Sequence, residues 1–173
     1  MEIVLEILKY ILPAAIVFVG VYFIMNSFFE NEQRKSSLRL RNDDRKQVLP
    51  IRLQAYERII LYLERINLSN MVMRLHKSNM SAKDMQIQML STIRSEYEHN
   101  MAQQLYISSK AWKMVVTAKE ENIKVINSCA EQLDKDASGM DLSRFILEVV
   151  GKLEKTPTEV AIEAIKREIS YLF

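Results

Sequence analysis

The chain has 173 residues, among them three glycines, three prolines and one cysteine, and carries a formal net charge of +2. So few turn formers exclude a strand-rich body of this size, and the lone Cys129 excludes an intrachain disulfide framework. Once an apolar run near the start is set aside, the length leaves room for one ordinary domain.

The charge is unevenly distributed. Residues 1–9 hold Glu2, Glu6 and Lys9, and residues 10–29 hold no charged side chain. Residues 30–52 carry seven basic side chains against four acidic ones, and the rest of the chain carries 16 of each. The positive excess therefore belongs to one short segment. The body has no net field to attract a polyanion, and nucleic acid is not expected as a partner.

The uncharged run YILPAAIVFVGVYFIMNSFF, residues 10–29, is long enough as a helix to span about 30 Å, the thickness of a hydrocarbon core. Acids, Glu2 and Glu6, precede it, and it ends in Asn26, Ser27, Phe28 and Phe29 without a small-x-small site, which predicts a retained anchor rather than a cleaved leader. Tyr10, Phe28 and Phe29 stand at its two ends, where aromatic rings favour the interface. Basic residues follow the run far more than they precede it. The expected placement is therefore a bacterial inner membrane crossed once, with the amino terminus outside and the remainder in the cytoplasm. The division expected is an anchor over 1–30, a basic neck over 31–49 and a cytosolic α-helical domain over 50–173.

In the neck, Arg34, Lys35, Arg39, Arg41, Arg45 and Lys46 are expected to set topology and make weak lipid headgroup contacts. Each gains about 1 kcal/mol near anionic lipid, offset by the acids interspersed among them. A dedicated lipid receptor would have a denser cluster, and a nucleic-acid handle would interleave aromatic residues.

The body predicts an all-α bundle of four to five helices. Around and after Pro50, Leu49, Leu53, Tyr56, Ile60 and Leu63 form one stripe, widened by Ile59 and Ile66, while Leu61 and Tyr62 leave a second side partly apolar. Ser69 and Ser81 are candidate caps, the second with Asp84 three residues on, opening a short connecting element and then a long helix. That helix places Leu90, Ile93, Tyr97, Met101 and Leu105 on one face. The next carries Trp112, Val115, Val116, Ile123, Ile126, Ala130 and Leu133, with Glu120/Lys124 and Glu131/Lys135 as pairs one turn apart. After the break DKDASGMD come Leu142, Phe145, Ile146, Val149 and Leu153, on a helix ending near Lys155. In TPTE, Thr156, Pro157 and Glu159 predict a capping box, followed by a stripe of Ala161, Ile165, Ile169 and Leu172. Among the ten methionines, Met71, Met73, Met80, Met85 and Met89 cluster in a pattern read first as core filling and second as an adaptable contact surface.

Motifs that carry chemistry are scarce. Asp134, Asp136, Ser138 and Gly139 copy the first half of a calcium loop, but the position that needs a bidentate glutamate falls on Phe145. A helix-ending turn is the expectation there. His76 and His99 lie far apart, and neither has ligand spacing with Cys129 or a carboxylate pair. No nucleotide loop or nucleophile elbow occurs. No enzyme activity, cofactor or metal is expected.

The order of span, basic neck, QVLPIRLQAYERIILYLERI (47–66) and EYEHNMAQQLYISSKAWKMVVTAKEE (96–121) resembles uncharacterised single-pass membrane proteins of Bacteroidota over most of the chain. The resemblance implies the topology above and whole-length unity, and it transfers no catalytic or binding residue. It also implies that the region of Tyr97, His99, Asn100, Gln104 and Trp112 is distinctive, although Tyr97 and Trp112 read physically as core. The function expected is a non-enzymatic scaffold or adaptor that assembles with itself or recruits an unidentified protein. The alternative is a sensor binding a lipid or small ligand in the bundle.

Overall fold

The computed structural model describes residues 18, 20–29, 32 and 48–171. The chain divides into two units, Met1–Leu49 and Pro50–Phe173. In the first, residues 18, 20–29 and 32 are helical, and large apolar side chains from Phe18 to Phe29 are exposed. Among the described residues, no helix is long and apolar enough to cross a membrane. Much of the predicted span, together with Arg34, Lys35, Arg39, Arg41, Arg45 and Lys46, lies outside the described residues.

The second unit is all-α. Helix α1 covers 48–65, followed by α2 (Leu68–Leu75), α3 (Ala82–Asn100), a 3-10 helix (Met101–Leu105), α4 (Ser109–Glu131), α5 (Gly139–Gly151) and α6 (Pro157–Ser170). The expected bundle of four to five helices thus has six α-helices among the described residues, because the short element before Ser81 is a helix in its own right. Its cap is Asn67 rather than Ser69: the Asn67 side chain accepts from the backbone N–H of both Ser69 and Asn70. Asparagine reaches two free N–H groups of the first turn from outside the helix, and Ser69 is already inside it.

Two helix–loop–helix units, α2–α3 and α4–α5, are joined through their loops. Ser81 and Ser138 form an antiparallel bridge, in which the Ala82 N–H donates to the Ala137 carbonyl (2.9 Å) and the Gly139 N–H to the Met80 carbonyl (2.7 Å). Each bridging serine also caps the helix that follows, and each has an aspartate three residues on, Asp84 or Asp141. The same S-x-x-D start therefore occurs twice, and the fold places the two copies side by side. A side chain at Gly139 would put its Cβ 3.0 Å from the Met80 carbonyl oxygen, so the close approach of the two loops favours glycine there.

The core takes residues from all six helices. Ile59, Leu63 and Ile66 of the α1 segment meet Met71 of α2, Met85, Met89 and Ile93 of α3, Ile126 of α4, Leu142 and Ile146 of α5 and Ile165 of α6, all essentially without exposure. Met71, Met85 and Met89 are thus core filling, whereas Met73 is exposed and Met80 half-buried. On α1 the buried stripe lies closer to Ile59 and Ile66 than predicted, and Leu53 and Ile60 are only half-buried. Tyr62 is fully buried and Leu61 exposed, so the second apolar side of α1 meets its own chain at Tyr62.

Two other expectations shift. Helix α3 ends at Asn100, and the tighter 3-10 turn takes Met101 and Leu105 off the buried face. Leu105 is 78% exposed. On α4, Lys124 pairs with Glu121 at 2.7 Å and not with Glu120, which Lys119 holds at 2.9 Å. The core row of α4 runs through Ala111, Val115, Ala118, Asn122, Ile126 and Cys129, while Trp112, Ile123, Ala130 and Leu133 flank it. Helix α6 begins as predicted, with Thr156 and Glu159 closing a capping box around Pro157.

Candidate functional site

Helix α1 and the end of α3 enclose a groove of about 190 Å³ whose lining includes Arg58, Tyr62, Arg65, Glu96, His99 and Asn100. The spacing of α1 places Arg58, Tyr62 and Arg65 on neighbouring turns of one face, and α3 brings Glu96, His99 and Asn100 to meet them. Arg65 Nη1 donates to both Glu96 oxygens, at 2.9 and 3.2 Å. Asn100 is buried and donates to the Glu96 carbonyl at 2.8 Å, satisfying an acceptor in the last turn of α3.

Beneath the groove is an aromatic row. The Tyr62 ring lies 6.2 Å from Tyr97, which stacks on Trp112 at 5.6 Å, and the Lys119 ammonium sits 4.2 Å from the Tyr97 ring centre. Tyr97 and Trp112 are partly buried against the core, as their spacing predicted. Of the five residues that the family resemblance marked out, His99 and Asn100 line the groove and Tyr97 and Trp112 support it, whereas Gln104 is an exposed residue of the 3-10 helix.

The Tyr62 hydroxyl is buried without a hydrogen-bond partner. Burial pushes its pKa far up, and Tyr97, Glu96 and Glu120 add to the shift by disfavouring a phenolate. It therefore stays protonated, and the Tyr62 side chain forms part of the lining of a groove rimmed by the guanidinium groups of Arg58 and Arg65. Such a donor set suits a small anion, which would have to displace Glu96 from Arg65 to gain a full fork. An unpaired buried hydroxyl costs about 1–3 kcal/mol. Tyr62→Phe is accordingly expected to leave the urea unfolding midpoint unchanged or higher; a clear fall would mean that the hydroxyl is satisfied in solution.

A second polar cluster joins α1, α4 and α6. Glu168 accepts from the Tyr56 hydroxyl (2.5 Å), from the Ser108 backbone N–H (3.0 Å) and from the Ser108 hydroxyl. Arg52 donates to the Tyr56 hydroxyl at 3.2 Å and to the Tyr106 carbonyl at 3.0 Å. Burial acts to raise the Glu168 pKa, but the hydrogen bonds from Ser108 and Tyr56, with Arg52 nearby, outweigh it and hold the carboxyl below its ordinary value. Tyr56 moves the other way, raised by burial and by its bond to Glu168. Ser108 caps α4, so Glu168 places a negative charge at a helix start, where the dipole favours it.

The remaining candidates have structural roles. Ser138 and Asp141 spend their oxygens on closing the start of α5, and Asp134 and Asp136 are exposed. Among the described residues, no group of three His, Cys, Asp or Glu side chains is placed to hold a metal. Cys129 is buried, and burial raises its thiol pKa, which disfavours the reactive thiolate. Buried Asn122, missed in the sequence, donates to the Ile66 carbonyl at 2.8 Å and ties α4 to the end of α1. Its signal was a polar residue one turn from both Ala118 and Ile126 on a core row. Tyr56 and Glu168 are 112 residues apart, and no local pattern links them.

No curated protein and no solved structure matches this chain. A family profile matches residues 2–172, almost the full length, and the chain belongs to that family, the family of unknown function DUF7935.

Proposed function

We propose that the chain is a single-pass protein of a bacterial inner membrane whose helical domain acts at the cytosolic face as a non-enzymatic adaptor, assembling with itself or recruiting another protein. The observation that carries the adaptor reading is the filled core. Ile59, Leu63, Met85, Met89, Ile93 and Ile126 are without exposure, which leaves recognition to the surface, where Leu61, Met73, Ile87 and Leu105 are exposed. The membrane reading is supported by the uncharged run over 10–29 and by its described part, in which consecutive apolar residues Val21 to Met25 are exposed on every side of a helix. Arg34, Lys35, Arg39, Arg41, Arg45 and Lys46 then set the orientation and touch headgroups. The resemblance to single-pass proteins of Bacteroidota agrees with this placement.

Two measurements test it. A cysteine at Ser36 should resist a membrane-impermeant thiol reagent in intact spheroplasts, and ready labelling there would reverse the topology. Purification in mild detergent should give an oligomer or a complex, and a lone monomer without a partner would count against the adaptor.

The groove favours a second reading, a sensor for a small anion, through Arg58, Arg65 and His99. Its expected sign is a rise in melting temperature with phosphate or a small dicarboxylate that is lost in Arg65→Ala. No shift with either anion would remove it.

A further inference from the structure

One end of the body gathers exposed apolar side chains and basic residues in a way that the core does not require. The Tyr106 carbonyl accepts from Arg52 near the start of α1, and Ser108 binds Glu168 near the end of α6, so the start of α1, the 3-10 turn and the last turn of α6 meet there. Ile51, Leu105, Tyr106 and Tyr171 are all exposed at this end, Tyr171 at 87%. A 3-10 turn that presents leucine and tyrosine to water is costly to keep soluble, unlike single apolar residues scattered over a surface.

From His99 to Lys119 the sequence has no acidic residue, and Lys110 and Lys113 stand exposed on the first turns of α4. Glu168, the acid that joins these elements, is occupied by Tyr56 and Ser108. Just before Ile51 the chain runs back through Pro50 into the basic neck and then the uncharged run. Apolar and aromatic tips beside Lys110 and Lys113, in a body whose chain continues before Pro50 into the basic neck and the uncharged run, match the interfacial zone of a bilayer, where rings sit at headgroup level and lysines reach the phosphates.

We propose that this end of the body docks on an anionic lipid surface, with Leu105, Tyr106 and Tyr171 entering the interface and Lys110 and Lys113 meeting the headgroups. The proposal rests on the single-pass reading above, because the anchor supplies the high local lipid concentration that makes a small patch sufficient.

The test uses the full chain reconstituted in vesicles of phosphatidylcholine with phosphatidylglycerol. In a Cys129→Ala background, an environment-sensitive fluorophore is attached at Leu105→Cys or at Met73→Cys. Met73 is 77% exposed on α2, beyond the other end of α1. The Leu105 label should shift to the blue and be quenched by spin-labelled lipid, and both effects should weaken without phosphatidylglycerol or in Lys110→Glu/Lys113→Glu. The Met73 label should show neither. If the chain floats with vesicles and resists carbonate extraction while Leu105 behaves like Met73, the docking proposal fails and the anchor stands. Quenching that ignores both phosphatidylglycerol and the lysine reversals overturns the anionic component. A chain that does not float removes the anchor reading and the docking with it.

Discussion

Glu168→Ala is expected to destabilise the body by about 3 kcal/mol, because it deletes a carboxylate that accepts three hydrogen bonds and leaves the Tyr56 hydroxyl and the Ser108 N–H in need of partners. Three elements lose their common tie: α1 through Tyr56, the start of α4 through Ser108, and α6 itself. Trp112 is the only tryptophan, so its fluorescence follows unfolding of this domain in the full chain. The folded carboxyl titrates below its ordinary value, so over the acid range the unfolded chain binds the extra proton. The stability that Glu168 contributes is complete above the ordinary glutamate range and is lost as pH falls through the lower folded value. Glu168→Ala should therefore flatten the acid limb of the stability profile, and Glu168→Gln, which keeps the shape but not the charge, should flatten it equally. An unchanged acid limb in both variants would show that the carboxylate is not tied in solution.

Leu63→Ala should cost about 2–5 kcal/mol in the same urea titration, the range for emptying a fully enclosed leucine site. The comparison that gives the number meaning is Leu61→Ala. Leu61 is two residues away on the same helix but more than half exposed, so its replacement should stay within about 0.5 kcal/mol. Equal costs at the two positions would mean that the exposed side of α1 is covered, which a self-associating adaptor permits. Repeating the Leu61→Ala measurement at several protein concentrations separates that case, since an interface contribution varies with concentration.

The helical class was legible because periodicity and caps are local. The capping box at Thr156–Glu159 and the Ser81 start are complete within four residues, so reading them needs no knowledge of the fold. Met71, Met85 and Met89 were legible as core filling from residue type, since a flexible apolar side chain suits irregular gaps. The exact rotation of α1 was not. Tyr62 is buried because Tyr97 lies against it, while Leu61, next to it and as apolar, is left outside. Likewise the Leu90–Leu105 stripe continued on paper, but α3 stops at Asn100 and the 3-10 turn points Leu105 into solvent.

The candidate sites divide in the same way. The sequence by itself determined the charge-free run, the basic neck, the helical body and the helix starts at Ser81 and Thr156, since each depends on composition or on contacts spanning one turn. Only the tertiary structure decided that Ser81 and Ser138 bridge, that Glu168 ties Tyr56 to Ser108, and that Arg58 and Arg65 face Glu96 and His99 across a groove. These pairings join residues that are tens of positions apart. They depend on how whole helices cross and rotate in the packed core, which no short stretch of sequence encodes.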